Sequence, residues 1–171
     1  WMWLRYRLWE DDTETSIVSA VSQPAGACLM VPRAVFEQVQ GFDVRFELFY
    51  EDVDLCKRIK AAGYRIVIDP EARVVHRGST SLQRERPLRI KQLYYQSGSL
   101  FFAIHHGRRS ALGYRIIFVA NELVKIAIRA AMLPFYGRSR RSLRQNIIDS
   151  LCFVRFAISG QGVRFDEASS E

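Results

Sequence analysis

Little in this chain of 171 residues points to a covalent or metal-built scaffold. There are three cysteines, Cys28, Cys56 and Cys152, an odd number with no metal-ligand spacing. They read as reduced thiols in a cytosolic setting, which argues against a disulfide framework or a zinc site. Glycine (10) and proline (5) are too few for a collagen-like or linker-like chain. Long apolar runs are missing too. The longest are of a few residues, such as 116–120, far short of the roughly 18–20 needed to cross a bilayer. No basic segment followed by an apolar stretch opens the chain, so no secretory signal is expected. The opening Trp1-Met2-Trp3 reads as an internal start, and the expectation is a piece of a longer protein.

What is present suffices for a folded domain. Apolar residues make up 49% and charged residues 25%, enough to bury a core and to disfavour disorder. Charge is unevenly spread. Residues 1–80 carry 10 Lys and Arg against 12 Asp and Glu, whereas residues 81–171 carry 15 against 6. A mildly acidic half is joined to a strongly basic one. A basic surface attracts nucleic acid, anionic membrane or phosphorylated ligands, and charge alone does not choose among them.

The first half reads as short strands and helices. Residues 1–24, an aromatic opening followed by an acidic, polar stretch at 10–15, read as a loop or ragged edge. Gly26-Ala27-Cys28-Leu29-Met30-Val31, stopped by Pro32, reads as a buried strand. A short helix is expected over 33–40 and a stronger one over 51–62. In the latter Leu55, Cys56, Ile59 and Ala62 form one apolar stripe. Acids crowd its start and bases its end, as the helix dipole prefers, and Gly63 suits the position after its C-terminus. Residues 65–68 and 73–76 read as two further strands. From residue 84 the pattern is helical, with helices at 85–106, 109–133 and 141–159 and breaks at Gly107, 134–137 and Gly160.

The sharpest local feature is Phe49-Tyr50-Glu51-Asp52-Val53-Asp54-Leu55, with three carboxylates in four residues at a helix start. On the residues alone this is either helix capping with an Asp54–Arg58 pair, or a general base or metal-binding acid. The wider order of motifs adds to it: Gly26-Ala27, Gly41-Phe42-Asp43, the Glu51-Asp52 segment, Gly63-Tyr64, Pro70-Glu71-Ala72-Arg73-Val74-Val75-His76 and Ser79-Thr80-Ser81. Together they resemble the C-terminal half of the catalytic domain of family two glycosyltransferases, inverting enzymes of the GT-A fold, and bacterial rhamnosyltransferase-like members most of all. The likeness covers residues 24–106 and reaches loosely to Tyr94-Tyr95-Gln96-Ser97.

The resemblance implies an α/β fold class: a partial GT-A-type domain of few short strands with helices over 1–82, then an all-helical extension over 83–171. It implies Asp52 as the catalytic base and Glu51 as its partner or an acceptor-orienting group. Gly26 and Ala27 would line the sugar pocket, and His76 would help hold a divalent metal, Mg2+ or Mn2+, on the donor diphosphate. Partners would be a nucleotide-sugar donor and a glycan or lipid-linked acceptor. The family's preceding half, ending in an Asp-x-Asp motif that holds the metal, has no counterpart in this sequence. The chain alone is therefore expected to be inactive, with uncovered strand edges that favour self-association.

The tail carries a second expectation. Arg115, Glu122, Lys125 and Arg129 form a narrow polar stripe on helix 109–133, and a wide apolar arc covers the rest. Leu143, Ile147, Leu151, Val154 and Ile158 repeat the idea on helix 141–159. Arg138, Arg140, Arg141 and Arg144 lie at the bend between them. Such a hairpin suits an anionic membrane surface, hence a cytoplasmic protein peripheral on the inner face of the cell membrane. The bland alternative is a packed bundle with a solvated basic turn. His105 and His106, near a helix end, read as structural. A non-catalytic membrane- or nucleic-acid-binding module is the runner-up. No nucleic-acid partner is expected, since no helix-turn-helix, zinc-finger or RNA-binding signature accompanies the charge.

Overall fold

The computed structural model describes residues 19–24, 26–69, 71–72, 74–75, 85–135 and 140–159. The chain divides into two compact units, Trp1–Val44 with Glu51–Gly78 and Arg45–Tyr50 with Ser79–Glu171.

In the first unit the regular elements are β1 (Ser19–Ala20), α1 (Arg33–Gln38), α2 (Glu51–Ala61) and β2 (Val67–Ile68). β1 and β2 pair antiparallel, Ser19 opposite Ile68 and Ala20 opposite Val67. The Val21 amide extends the ladder to the Ile66 carbonyl at 3.0 Å. The strand expected over 65–68 is therefore present in shortened form, and its partner comes from a stretch that reads as ragged loop. The strand expected over 26–31 is not formed. Those residues form a turn and irregular backbone, with Met30 98% exposed. Pro24 and Pro32 bracket the segment and remove ladder donors, and no second strand lies beside it among the described residues. Val74 and Val75 are likewise exposed and not in a strand.

The core of this unit is small. Val35 and Val39 of the α1 region pack against Leu55 and Ile59 of α2, with Val31, Phe36 and Ile66 around them. α2 starts with Glu51, Asp52 and Asp54 in its first turn and ends with Arg58 and Lys60 in its last, matching the dipole. It closes as the sequence implies. The Gly63 amide bonds the Lys60 carbonyl and the Tyr64 amide the Ile59 carbonyl, a Schellman pair. Asp54, 1% exposed, pairs with Arg58 one turn on, at 2.6 Å. Arg58 also donates to the Val39 carbonyl, so this pair fixes α2 to the end of α1.

The second unit is helical. α3 runs Pro87–Met132, with Pro87 where a missing N–H costs nothing. It is broken at Gly107, whose φ of 82° and ψ of 166° are not helical. The chain folds back there, so Lys91 faces Glu122 and Tyr95 faces Arg115. A 3-10 turn, Leu133–Phe135, precedes α4 (Arg140–Ile158). α4 returns along the hairpin, with Ala157 near Arg115 and Ser150 near Glu122. The result is a three-helix bundle around Tyr95, Phe153 and Ala157, flanked by Leu88, Tyr114, Phe118, Val119 and Phe156. The stripe expected on α4 is corrected: Ser150, Phe153, Val154 and Ala157 are buried, while Leu151 and Ile158 are exposed.

Candidate functional site

The carboxylates of α2 sit where a loop becomes a helix, so their backbone neighbours still have free donors. Asp52 uses two of them. Its Oδ1 accepts from the Val53 amide at 2.8 Å and its Oδ2 from the Gly26 amide at 2.8 Å. The second bond spans 26 residues and brings together two positions that the family resemblance assigns to one site. It also explains the glycine. A Cβ on Gly26 would lie 2.9 Å from Asp52 Oδ2 and 3.0 Å from Asp52 Cβ, closer than packing allows. The side chain of Asp52 is thus held by two amides, with lone pairs left over for a further donor. Ala27 follows in the same exposed turn.

Glu51 differs. Its Oε2 is buried, and no donor reaches it among the described residues. Burial pushes its carboxyl above the usual range. Its own backbone hydrogen bond opposes that rise, and the neighbouring Asp52 charge adds to it. Two adjacent acids therefore have different environments, one pinned by amides and one desolvated.

The aromatic residues before the acids belong to the helical unit. Phe49 and Tyr50 have φ of 68° and 66°, left-handed values that bulky residues rarely adopt. Tyr94 packs on both rings, with centroids 5.4 Å from each, and Tyr50 also meets Phe101. Ser97 Oγ donates to the Leu48 carbonyl at 2.7 Å, and Arg89 reaches Glu47 at 3.0 Å. The Tyr94-Tyr95-Gln96-Ser97 segment thus has a physical task, holding the loop 45–50 in its strained form. The letters of that segment were visible in the sequence, but nothing in their spacing pointed to this contact.

Of the other expected site residues, His76 and Arg138 lie outside the described residues. Arg140, Arg141 and Arg144 are exposed at the start of α4. His105 and His106 pack on the rings of Phe101 and Phe102, in keeping with a structural role. Among the described residues no group of three His, Cys, Asp or Glu side chains is arranged to hold a metal ion. His76, the residue of this chain expected to help hold the implied divalent cation, lies outside those residues. No helix among the described residues is long and apolar enough to cross a membrane.

Comparison with known proteins assigns the chain to a family. The model of the glycosyl transferase family group 2 matches residues 5–158, and the chain belongs to that family. It is 39% identical over 82 residues to the N-acetylglucosaminyl-diphospho-decaprenol L-rhamnosyltransferase of Mycobacterium tuberculosis, covering 48% of this chain and 26% of the relative. It is 42% identical over 55 residues to the O-antigen biosynthesis protein RfbC of Myxococcus xanthus, covering 32% of this chain and 4% of that protein. The matched segments thus span about a quarter or less of these curated relatives' length. No solved structure matches the chain. The family expected from the motifs is the family found, and one of the curated relatives it matches is named a rhamnosyltransferase.

Proposed function

We propose that this chain is the acceptor-side part of an inverting, GT-A-type glycosyltransferase that moves a sugar from a nucleotide-diphosphate sugar to an acceptor hydroxyl. Asp52 is the general base. The acceptor O–H gives its proton to the Asp52 carboxylate as the oxygen attacks the anomeric carbon. The bond from that carbon to the diphosphate breaks on the opposite side, and the nucleoside diphosphate leaves with the electron pair. The observation that carries the reading is the pair of 2.8 Å amide bonds that fix Asp52 beside Gly26. A base held in one orientation is already placed for proton transfer. Glu51 tunes or orients the same centre.

The name of the mycobacterial relative supports a lipid-linked acceptor, and the basic tail supports work at a membrane face. In this reading Arg138, Arg140, Arg141 and Arg144 meet anionic lipid. A divalent cation on the donor diphosphate belongs to the complete enzyme, with His76 a candidate ligand. The test is Asp52→Asn in the enzyme that carries this chain. Asn still accepts the Gly26 amide and still caps a helix, but it takes no proton. Turnover is expected to fall about 10²–10⁴-fold with donor binding intact. Asp54→Asn is the control: it weakens the buried pair with Arg58 and costs stability of about 1–3 kcal/mol, with little effect on rate. Near wild-type turnover in Asp52→Asn removes Asp52 from the mechanism.

A further inference from the structure

A helix in a water-soluble bundle ordinarily turns its apolar side inward and its charges outward. The second half of α3, residues 108–132, is apolar on two sides: Tyr114, Phe118 and Val119 pack on the core of the bundle, the charges of its middle also turn inward, and a second apolar face is left outside. Glu122 is 1% exposed and accepts from Lys91, Lys125 and Ser150 at 2.8–2.9 Å. Arg115 turns to the Tyr95 hydroxyl and the Ala157 carbonyl, and Arg129 to Ser150 and the Asn146 carbonyl. The polar stripe legible in the sequence therefore lies on the inner side. Leu112, Ile116, Ile117, Leu123, Val124 and Ile128 lie outside, 49–71% exposed. At 100° per residue they fall within an arc of about 160°, and they run about 24 Å along the axis. Between residues 112 and 128 no charged residue falls inside that arc.

Charge indicates what covers such a strip. Between residues 108 and 158 there are ten Lys and Arg and two acids, Glu122 and Asp149. Glu122 is already enclosed by its own lysines. Arg108 and Arg109 stand exposed at one end of the strip. Arg140, Arg141 and Arg144 stand exposed at the start of α4, which follows the other end. A cavity of about 410 Å³ lined by Arg108, Ala111, Leu112 and Arg115 adjoins a trough of about 420 Å³ that includes Ile116, Leu123 and Ile158. Leu112 and Arg115 line both, so a cationic mouth opens onto an apolar floor. A second copy of the chain would bring the same positive charge against itself. A bilayer with anionic head groups offers acyl chains for the floor and phosphates for the arginines.

We propose that residues 108–132 lie in the plane of an anionic bilayer surface, outer face down, with the arginines at both ends on lipid phosphates. This deepens the lipid-linked reading above and rests on it for its purpose. It moves the main contact from the arginine bend to the apolar face of α3.

The test is co-sedimentation of the 171-residue chain with phosphatidylcholine vesicles, with and without a quarter phosphatidylglycerol. Binding is expected to the anionic vesicles and to weaken with salt. Ile117→Glu with Val124→Glu changes two outward positions, so the melting temperature should hold while vesicle binding falls tenfold or more. Replacing Arg108, Arg109, Arg140, Arg141 and Arg144 with Gln should cost about fivefold per charge near the surface. Two outcomes overturn the proposal. One is wild-type vesicle binding by the double glutamate variant. The other is a dimer in analytical ultracentrifugation that this variant splits while no form binds vesicles. Failure of the transfer reading is separate: it appears as an active Asp52→Asn enzyme, whatever the vesicles do.

Discussion

Gly26 carries the most specific claim about single residues. Its amide holds Asp52 Oδ2 at 2.8 Å, and the space for a side chain is occupied by Asp52 itself. Gly26→Ala in the complete enzyme must displace the carboxylate or the turn. Initial-rate assays should show kcat reduced at least tenfold, with thermal unfolding of α2 little changed, because the turn lies outside the helix. Wild-type kcat in the Gly26→Ala enzyme would detach this contact from the chemistry. The acids themselves were legible because three carboxylates at a helix start, in register with several distant motifs, form a pattern that composition does not produce by chance. Asp54 and Arg58 were legible for a simpler reason: i and i+4 on a helix are neighbours. The Gly26 contact was not legible, since a bond across 26 residues depends on how the turn and α2 pack. Neither were the left-handed conformations of Phe49 and Tyr50, which the rings of Tyr94 and Phe101 impose from far along the chain.

Among the elements, the helices were readable, whereas of the three expected strands only that over 65–68 formed among the described residues, and in shortened form. Helices declare themselves through long periodicity and their stops, and Gly63, Gly107 and Pro87 all act at or within two residues of the expected boundaries. Two-residue strands carry no periodicity, and 26–31 has strand-like composition without a neighbour to pair with. The bend at Gly107 yields a direct test. Its φ of 82° with ψ of 166° lies in a region that only glycine visits readily, and nothing crowds the place where a Cβ would be. The penalty for Gly107→Ala is therefore backbone strain and not collision. The expected loss is about 1–3 kcal/mol in chemical denaturation followed by circular dichroism, felt in the helical unit. A variant as stable as wild type would mean the two halves of α3 join by some other bend. The same element exposes the limit of pattern reading. A stripe of charges beside an apolar arc fixes that a helix is two-faced but leaves open which face is inward. The Lys91–Glu122–Lys125 cluster decides it, and Lys91 lies on a different stretch of the helix.

For the molecule as a whole, the acidic and basic halves respond to acid in opposite senses at their buried carboxyls. Burial alone would raise the Glu122 carboxyl, but Lys91, Lys125 and Ser150 overcome it and hold it down to about 2. A carboxyl depressed in the folded state contributes stability above its unfolded value near 4.5, and that contribution disappears as pH falls toward 2. Its size is on the order of 3 kcal/mol. Glu51 in the first unit is raised by burial, so its ionisation costs stability above its folded value, and acid relieves that cost. Native-state hydrogen exchange, read separately for each unit, distinguishes these two groups. Between about pH 5 and pH 2.5, protection of residues 108–132 should drop steeply, and protection of residues 51–61 should drop less. Glu122→Gln removes the titrating group. It should lower the stability of the helical unit at neutral pH, because Lys91 and Lys125 lose their shared counter-charge, and it should flatten that unit's response to acid. If the variant kept the wild-type acid slope, the slope would belong to other carboxyls, and the Lys91–Glu122–Lys125 cluster would not be what anchors the inward face of α3.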